Sequence, residues 1–417
     1  MLTDIQYKEP VPIGNKVNLH IIQTDKFKTA VSLLLIRRPL SRGESTKNAV
    51  LKDILRQGSR RYPSMQTINK RMEELFGSTF DVQIVKKGEE QILQFYFEGI
   101  PNDGNVYKGI EFLSEVALNP LTGAEGFNRE ALKNAGNNVK NIIDGRINNK
   151  AEYARVNCLA HMCGDEPFAV YTDGYAEDLA DLTENSLYRH YQDILTASPV
   201  ELICAGDLDE AELATAASGF NIPDRRPESI PFARCFSARP GVRTITETFN
   251  SAQGKICMGL RSDISPVSRH FYALLVMNEI LGGGPNSKLF TKIREREGMC
   301  YYINSTLYRF KSIILIQSGV DAGHFEHIVK LASREIDEIC LGRINHEEWE
   351  AARQSIISKF RIGLDHYPSI LDFYTARYLL GDKKNVNEAI QAIESVTMDE
   401  AAEAARRVKL DTVFELT

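Results

Sequence analysis

Leu281-Gly-Gly-Gly-Pro-Asn-Ser-Lys-Leu-Phe-Thr-Lys-Ile-Arg-Glu-Arg-Glu-Gly-Met-Cys-Tyr301 is the stretch from which the architecture of this chain can be read. Three glycines and a proline end whatever precedes them, and Ser287 to Glu297 predicts a short helix. Gly298 permits a reversal, and Tyr301 stands where a strand should begin. Around this stretch, Gly254 to Leu260 predicts a strand and His270 to Leu281 a helix, and Cys300 to Val320 predicts two strands about Phe310-Lys311-Ser312.

The same order occurs earlier. Val17 to Ile22 and Thr29 to Ile36 are β-branched, apolar runs. Thr46 to Gln57 sets Ala49, Val50, Leu51, Ile54 and Leu55 on one helical stripe, with Gly58 expected as a left-handed cap. Ser64 predicts an N-cap for a helix over Met65 to Phe76, and Ser78 to Gly99 predicts a hairpin turning at Lys87-Gly88. Ile54-Leu55 before Gly58 matches Ile280-Leu281 before Gly284, and Leu75-Phe76-Gly77 matches Arg296-Glu297-Gly298 at nearly constant offset. A period this long points to a duplicated domain rather than a solenoid.

Between the copies, Ile222 to Arg243 carries Pro223, Pro227, Pro231, Pro240 and five arginines without periodicity, which predicts a solvated linker. The domains are therefore expected at 1–221 and 244–417, joined by 222–243. Each half ends in helices: Arg129 to Gly145 and Thr183 to Leu195 in the first, then His324 to Leu341, His346 to Ile362 and Met398 to Val408 in the second. Strands followed by helices predict the α+β class, each domain a mostly antiparallel sheet covered by helices.

Composition narrows the function. The 417 residues are 43% hydrophobic and 25% charged, a folded protein of two large domains. A net charge of −6 gives no footprint for nucleic acid or anionic lipid. No apolar run reaches the length of a membrane span, and no basic, apolar leader opens the chain, so a cytoplasmic location is expected. Seven cysteines without paired spacing suit reduced thiols. Cys158-Leu-Ala-His161-Met-Cys163 lacks a fourth ligand for a metal, and His324, His327 and His346 with Glu347 and Glu348 suit solvated helix ends better than a metal site. Gly282 to Lys288 lacks the Gly-Lys-Ser/Thr ending of a phosphate loop.

With its glycine turn, short helix and Gly-x-x-Tyr strand start, the 281–301 segment resembles the second domain of pitrilysin/insulinase peptidases. The resemblance extends over the whole chain through the duplication, and it implies the mitochondrial-processing-peptidase-like fold in a clamshell arrangement. In that family an inverted His-x-x-Glu-His motif on the first helix holds zinc and activates water. Aligning on Gly58 sets Ala49, Lys52 and Asp53 at those three positions, and Ala135 and Ile142 at the later acidic ones. No histidine occurs between His20 and His161, so no shift of register restores the motif. Arg294 and Tyr301 match the arginine and tyrosine that reach toward the scissile peptide, donors suited to a carbonyl and its oxyanion.

The resemblance therefore implies a chain with substrate-binding Arg294 and Tyr301, no catalytic residue of its own, no metal and no cofactor. It is expected to be inactive alone and to pair with a zinc-bearing paralogous peptidase subunit to act on peptide, with a homodimer possible in isolation. The alternative is a non-enzymatic peptide-binding or assembly protein of the same fold, one version of which accompanies enzymes that modify a translation factor.

Overall fold

A computed structural model of the chain describes residues 5–13, 16–101, 104–220, 222, 225–249 and 253–417. They form two compact units, residues 1–145 with 170–231 and residues 146–169 with 232–417. In chain order the elements of the first half are β1 (Gln6–Ile13), β2 (Val17–Gln23), β3 (Ala30–Pro39), α1 (Ser45–Gln57), α2 (Met65–Glu74), β4 (Thr79–Lys87), β5 (Glu90–Gly99), α3 (Asn105–Leu118), α4 (Arg129–Asp144), α5 (Lys150–Cys163), α6 (Glu184–Ala197), β6 (Val200–Gly206) and α7 (Glu210–Ala217). The second half contains β7 (Arg243–Glu247), β8 (Gly254–Ser262), α8 (His270–Asn278), β9 (Tyr302–Tyr308), β10 (Ile313–Val320), α9 (Phe325–Cys340), α10 (His346–Gly363), α11 (Tyr367–Leu380), α12 (Val386–Glu394), α13 (Met398–Arg406) and β11 (Val408–Leu416).

The first sheet has the order β1-β2-β6-β3-β5-β4 and the second β7-β11-β8-β10-β9. Without β1 the two orders correspond strand for strand. The one parallel pair also corresponds: β2 with β6, and β7 with β11. A shared order with a shared parallel exception is the topology of a duplication, because crossovers of this kind are not repeated by chance packing. The remaining pairs are antiparallel, and the fold is α+β as the patterning predicts.

In the first unit, alternation in β3 turns Ala30, Leu34 and Ile36 toward the apolar stripe of α1, and these join Leu93, Phe95, Ile110 and Leu113 in one core. Ser64 caps α2 and accepts from the Thr67 amide, with the Thr67 hydroxyl returning to the Ser64 amide. Lys87 pairs with Glu90 across a two-residue turn in which Gly88 has φ 59°. One local expectation is corrected here. Gly58 is extended, with φ 166° and ψ 170°, not left-handed. Its glycine is required by close approach instead, since a Cβ there would lie 2.8 Å from the Tyr62 carbonyl oxygen and 3.0 Å from Leu121.

In the second unit, α5 lies on the sheet face that carries Cys257, Ile313, Leu315 and Phe414, covering it with Ala154, Cys158 and Met162. Thus one helix from the first half of the chain contributes to the second core, a trespass that no periodicity could reveal. The linker is less solvated than its composition implies: Arg225 is buried and donates to the Ser198 carbonyl at 2.5 Å, and the Arg239 amide donates to Asp411 at 3.1 Å. Pro223 lies outside the described residues.

Candidate functional site

The positions at which the first helix would carry a metal are built into packing. Ala49 is buried on α1, offering a methyl group. Lys52 turns its ammonium to Asp53, Nζ to Oδ1 2.9 Å. Asp53 is 4% exposed and accepts from Asn138 Nδ2 on α4 at 2.8 Å. The carboxylate is therefore occupied by a cation and an amide, and Asn138 supplies a neutral donor where a ligand would need to be an anion. These residues do not fit zinc, which requires three protein donors of nitrogen, sulfur or oxygen. Ala135 is buried between α1 and α4 neighbours and Ile142 is exposed, so the α4 residue that meets α1 at this depth is Asn138, which sequence alignment passed over. An amide one helical turn from each of those positions carries no signal by itself.

One turn earlier on α1, Asn48 is buried and gives Nδ2 to Gln91 Oε1 at 2.7 Å, while its Oδ1 meets His190 Nε2 at 2.7 Å. Gln91 donates onward to the carbonyls of Ser45 and Thr172. Burial lowers the His190 imidazole to about 4, so it is neutral near pH 7 and donates to Asn48. The network is a closed set of hydrogen bonds with no thiolate or carboxylate among its members.

The other candidate segment differs from a plain helix–turn–helix. Leu289–Arg296 is π-helical, a wide geometry that accounts for well under 1% of residues and gathers at functional sites, and Glu279–Gly283 is kinked at Gly282, whose φ of −158° and ψ of 19° are not helical. Between them the glycine turn is clamped. The Glu279 carboxylate accepts from Lys359 Nζ at 2.6 and 2.9 Å and from Ser355 Oγ at 2.6 Å, and Lys359 also reaches the Gly283 carbonyl at 3.1 Å. A Cβ on Gly283 would sit 2.2 Å from Glu279 Oε2, so a larger residue would push that carboxylate away from its place beside Lys359. Lys288, buried, pairs with Glu348 at 2.8 Å, and Lys292 pairs with Glu335 at 2.6 Å. These two lysines, four residues apart, tie one side of the turn to α10 and α9. That disposes of a phosphate loop, because Lys288 already has its carboxylate, and it removes Glu348 from any cluster with His346.

With that side fixed, Arg294, Glu295, Arg296 and Glu297 are exposed. Arg294 has its guanidinium over the Phe290 ring at 4.5 Å. Gly298 reverses the chain at φ 63°, and Tyr301 follows with 68% of its surface exposed. The Tyr301 amide donates to Gly319 at 3.0 Å, which anchors it just before the outer strand β9 rather than within it. Burial pushes the Cys300 thiol up, and the Arg294 charge opposes that shift, so the guanidinium is within electrostatic reach of the residue beside Tyr301.

Elsewhere, Cys158 and Cys163 are buried in the apolar layer beneath α5, while His161 is exposed and stacks on Phe414 at 5.9 Å. Burial pushes Cys257 and Cys204 up to about 12, which makes inert thiols of them. Among the described residues no three His, Cys, Asp or Glu side chains are grouped to hold a metal, and no helix is long and apolar enough to cross a membrane.

The chain is similar in sequence and in fold to several known proteins. A family model described as "Peptidase M16 inactive domain" matches residues 181–356. The chain is 24% identical over 404 residues to a Bacillus subtilis protein named "Probable inactive metalloprotease YmfF", with 95% of each covered. It is 21% identical over 240 residues, 56% of this chain and 57% of the other, to the "Uncharacterized zinc protease YmxG" of the same organism. A conserved protein of Enterococcus faecalis has the same fold at a TM-score of 0.91, with 27% identity and 98% of each chain covered. A peptidase M16 inactive domain from Pseudomonas fluorescens aligns at 0.78, with 15% identity over 98% of this chain and 97% of that one.

Proposed function

The chain is an inactive, pitrilysin-like member of the M16 peptidase family, and from that premise we propose that it is the zinc-free half of a two-chain peptidase. Arg294 and Tyr301 would face peptide held at the metal of a zinc-bearing paralogous subunit. The observation that carries this reading is the contrast between two sites in one chain. At Ala49, Lys52 and Asp53 the ligand positions are consumed by packing and by the Asn138 bond. At 279–301 the turn is fixed by Glu279, Lys288, Lys292 and Lys359 while Arg294 and Tyr301 are left exposed. Ion pairs that hold a donor pair in place are what a preorganised oxyanion site requires. A guanidinium and a neutral phenol bind the substrate carbonyl and strengthen their hold as negative charge grows on its oxygen. The outer strand β9 begins next to Tyr301, so an extended peptide could add to that edge by main-chain hydrogen bonds.

The test mixes the purified chain with its zinc-bearing paralogue and a quenched peptide. Neither chain alone should turn over substrate through a shared site, and the mixture should. In the mixture, Arg294→Ala and Tyr301→Phe should each lower kcat/KM by about 10²-fold, the magnitude of a lost oxyanion donor. Unchanged turnover in both variants sinks the shared-site reading. A stable pair with no turnover on any peptide would favour the assembly role instead.

A further inference from the structure

The second unit contains a cavity of about 560 Å³ that the peptide-facing residues do not use. It lies between the β9–β10 turn at Arg309 and Phe310, the end of α10, and α11. Its size is that of a site for one small organic molecule. Phe310, Phe360 and Phe373 supply most of its aromatic wall, with Phe360 and Phe373 edge to face at 5.9 Å.

The charge beside the cavity is unbalanced. Asp382 accepts from Arg309 Nη2 at 2.9 Å, from Arg377 Nη1 at 2.6 Å and from Lys384 Nζ at 3.3 Å. Three cations thus share one carboxylate, and Asp372, exposed at the rim, is the one acidic residue among those lining the cavity. Lys359, also on the wall, is neutralised by Glu279. One positive charge is left over. Arg309 and Arg377 each have a buried Nε without a hydrogen-bond acceptor, and Arg377 is stacked 4.1 Å over Phe373. Of the two, Arg309 lines the cavity, and a carboxylate at its guanidinium would gain charge-assisted hydrogen bonds.

We propose that this cavity binds a small monoanionic carboxylate with an aromatic or aliphatic body, the body between Phe360 and Phe373 and the carboxylate at Arg309. The body replaces water against the phenylalanine wall, and the carboxylate accepts from Arg309 Nη1, the terminal nitrogen that Asp382 does not hold. A single negative charge matches the surplus, whereas a dianion exceeds it. The inference is independent of Arg294 and Tyr301 and of any partner chain.

Isothermal titration of the full chain with decanoate, decan-1-ol and decylammonium tests it. Decanoate should bind once per chain, and the alcohol about tenfold more weakly, the difference a charge-assisted hydrogen bond makes. Decylammonium should not bind. Arg309→Gln should reduce decanoate to the level of the alcohol. Ser369→Trp, at the exposed rim, and Ala376→Phe, in the wall, should each weaken decanoate at least about tenfold by filling the space. Circular dichroism and melting separate a filled cavity from an unfolded chain, and the rim variant leaves the core intact if the wall variant does not fold. Equal binding of the three probes overturns the proposal. So does a folded Ser369→Trp protein that takes decanoate as the unaltered chain does.

Discussion

Asp53 and His190 show how single residues settle what the first helix can do. Asp53 is buried with Lys52 and Asn138 as its partners, so its carboxylate stabilises the α1–α4 contact. Asp53→Ala should cost about 1–3 kcal/mol, because the Asn138 amide is left unsatisfied, and urea unfolding measures it. Chelator treatment should leave the melting temperature unchanged, since the residues at 49, 52, 53 and 138 do not make a zinc site. A chain that loses stability in EDTA and regains it with zinc contradicts this. His190 predicts a pH dependence. Its folded pKa is lowered from 6.5 to about 4 by burial, so the unfolded chain takes up the proton first as pH falls. Stability from this group is complete above pH 6.5 and declines toward pH 4, by about 2 kcal/mol between pH 7.5 and 5. His190→Gln should flatten that part of the melting-temperature profile, and an unaltered slope assigns it to other groups.

At the scale of elements, α5 and its seat on β8 are the most exacting feature. Gly259 admits the helix: a Cβ there would stand 2.4 Å from Met162 Sδ. Arg261, 1% exposed in its side chain, donates to the Met162 carbonyl at 2.9 Å and to Glu166 at 2.5 Å and forms an ion pair with Asp411 at 3.3 Å, while Lys311 pairs with Glu166 at 2.9 Å. Removing one partner of a buried ion cluster costs more than the cluster adds, because the other charges are left uncompensated. Arg261→Ala should therefore destabilise by about 3–5 kcal/mol and open 146–169 to limited proteolysis. Cleavage elsewhere, with that segment protected, contradicts the role given to α5. The same reasoning at the glycine turn explains why Glu279, Lys288 and Lys292, ordinary in a charge-rich segment, carry structural work there.

For the whole molecule, the two units do not coincide with the two halves of the chain. A fragment cut at residue 244 lacks α5, and the face of Cys257, Ile313, Leu315 and Phe414 would be bare. Such a fragment should bind ANS and lack near-ultraviolet circular dichroism, and a synthetic peptide of residues 146–169 added in trans should restore both toward native values. A fragment 244–417 that folds cooperatively without the peptide shows that α5 is dispensable.

The sequence by itself determined most of the strands and helices, the duplication, the α+β class and the loss of histidine from the first helix. Those follow from local periodicity, from turn residues and from residue types that cannot ligate, all properties of neighbours along the chain. Arg294 and Tyr301 are singled out by the resemblance of 281–301 to pitrilysin/insulinase peptidases, since an arginine in a charge run and a tyrosine at a strand start carry no signal by themselves. Only the tertiary structure decided that α5 crosses to the second core, that Asn138 meets Asp53, that Gly58 is extended against Tyr62, and that a kink at Gly282 and a π-helical segment frame the glycine turn. Each of these depends on a partner far away in sequence, and pairings of that kind are chosen by packing and by the cost of an unpaired buried group, which no window of adjacent residues contains.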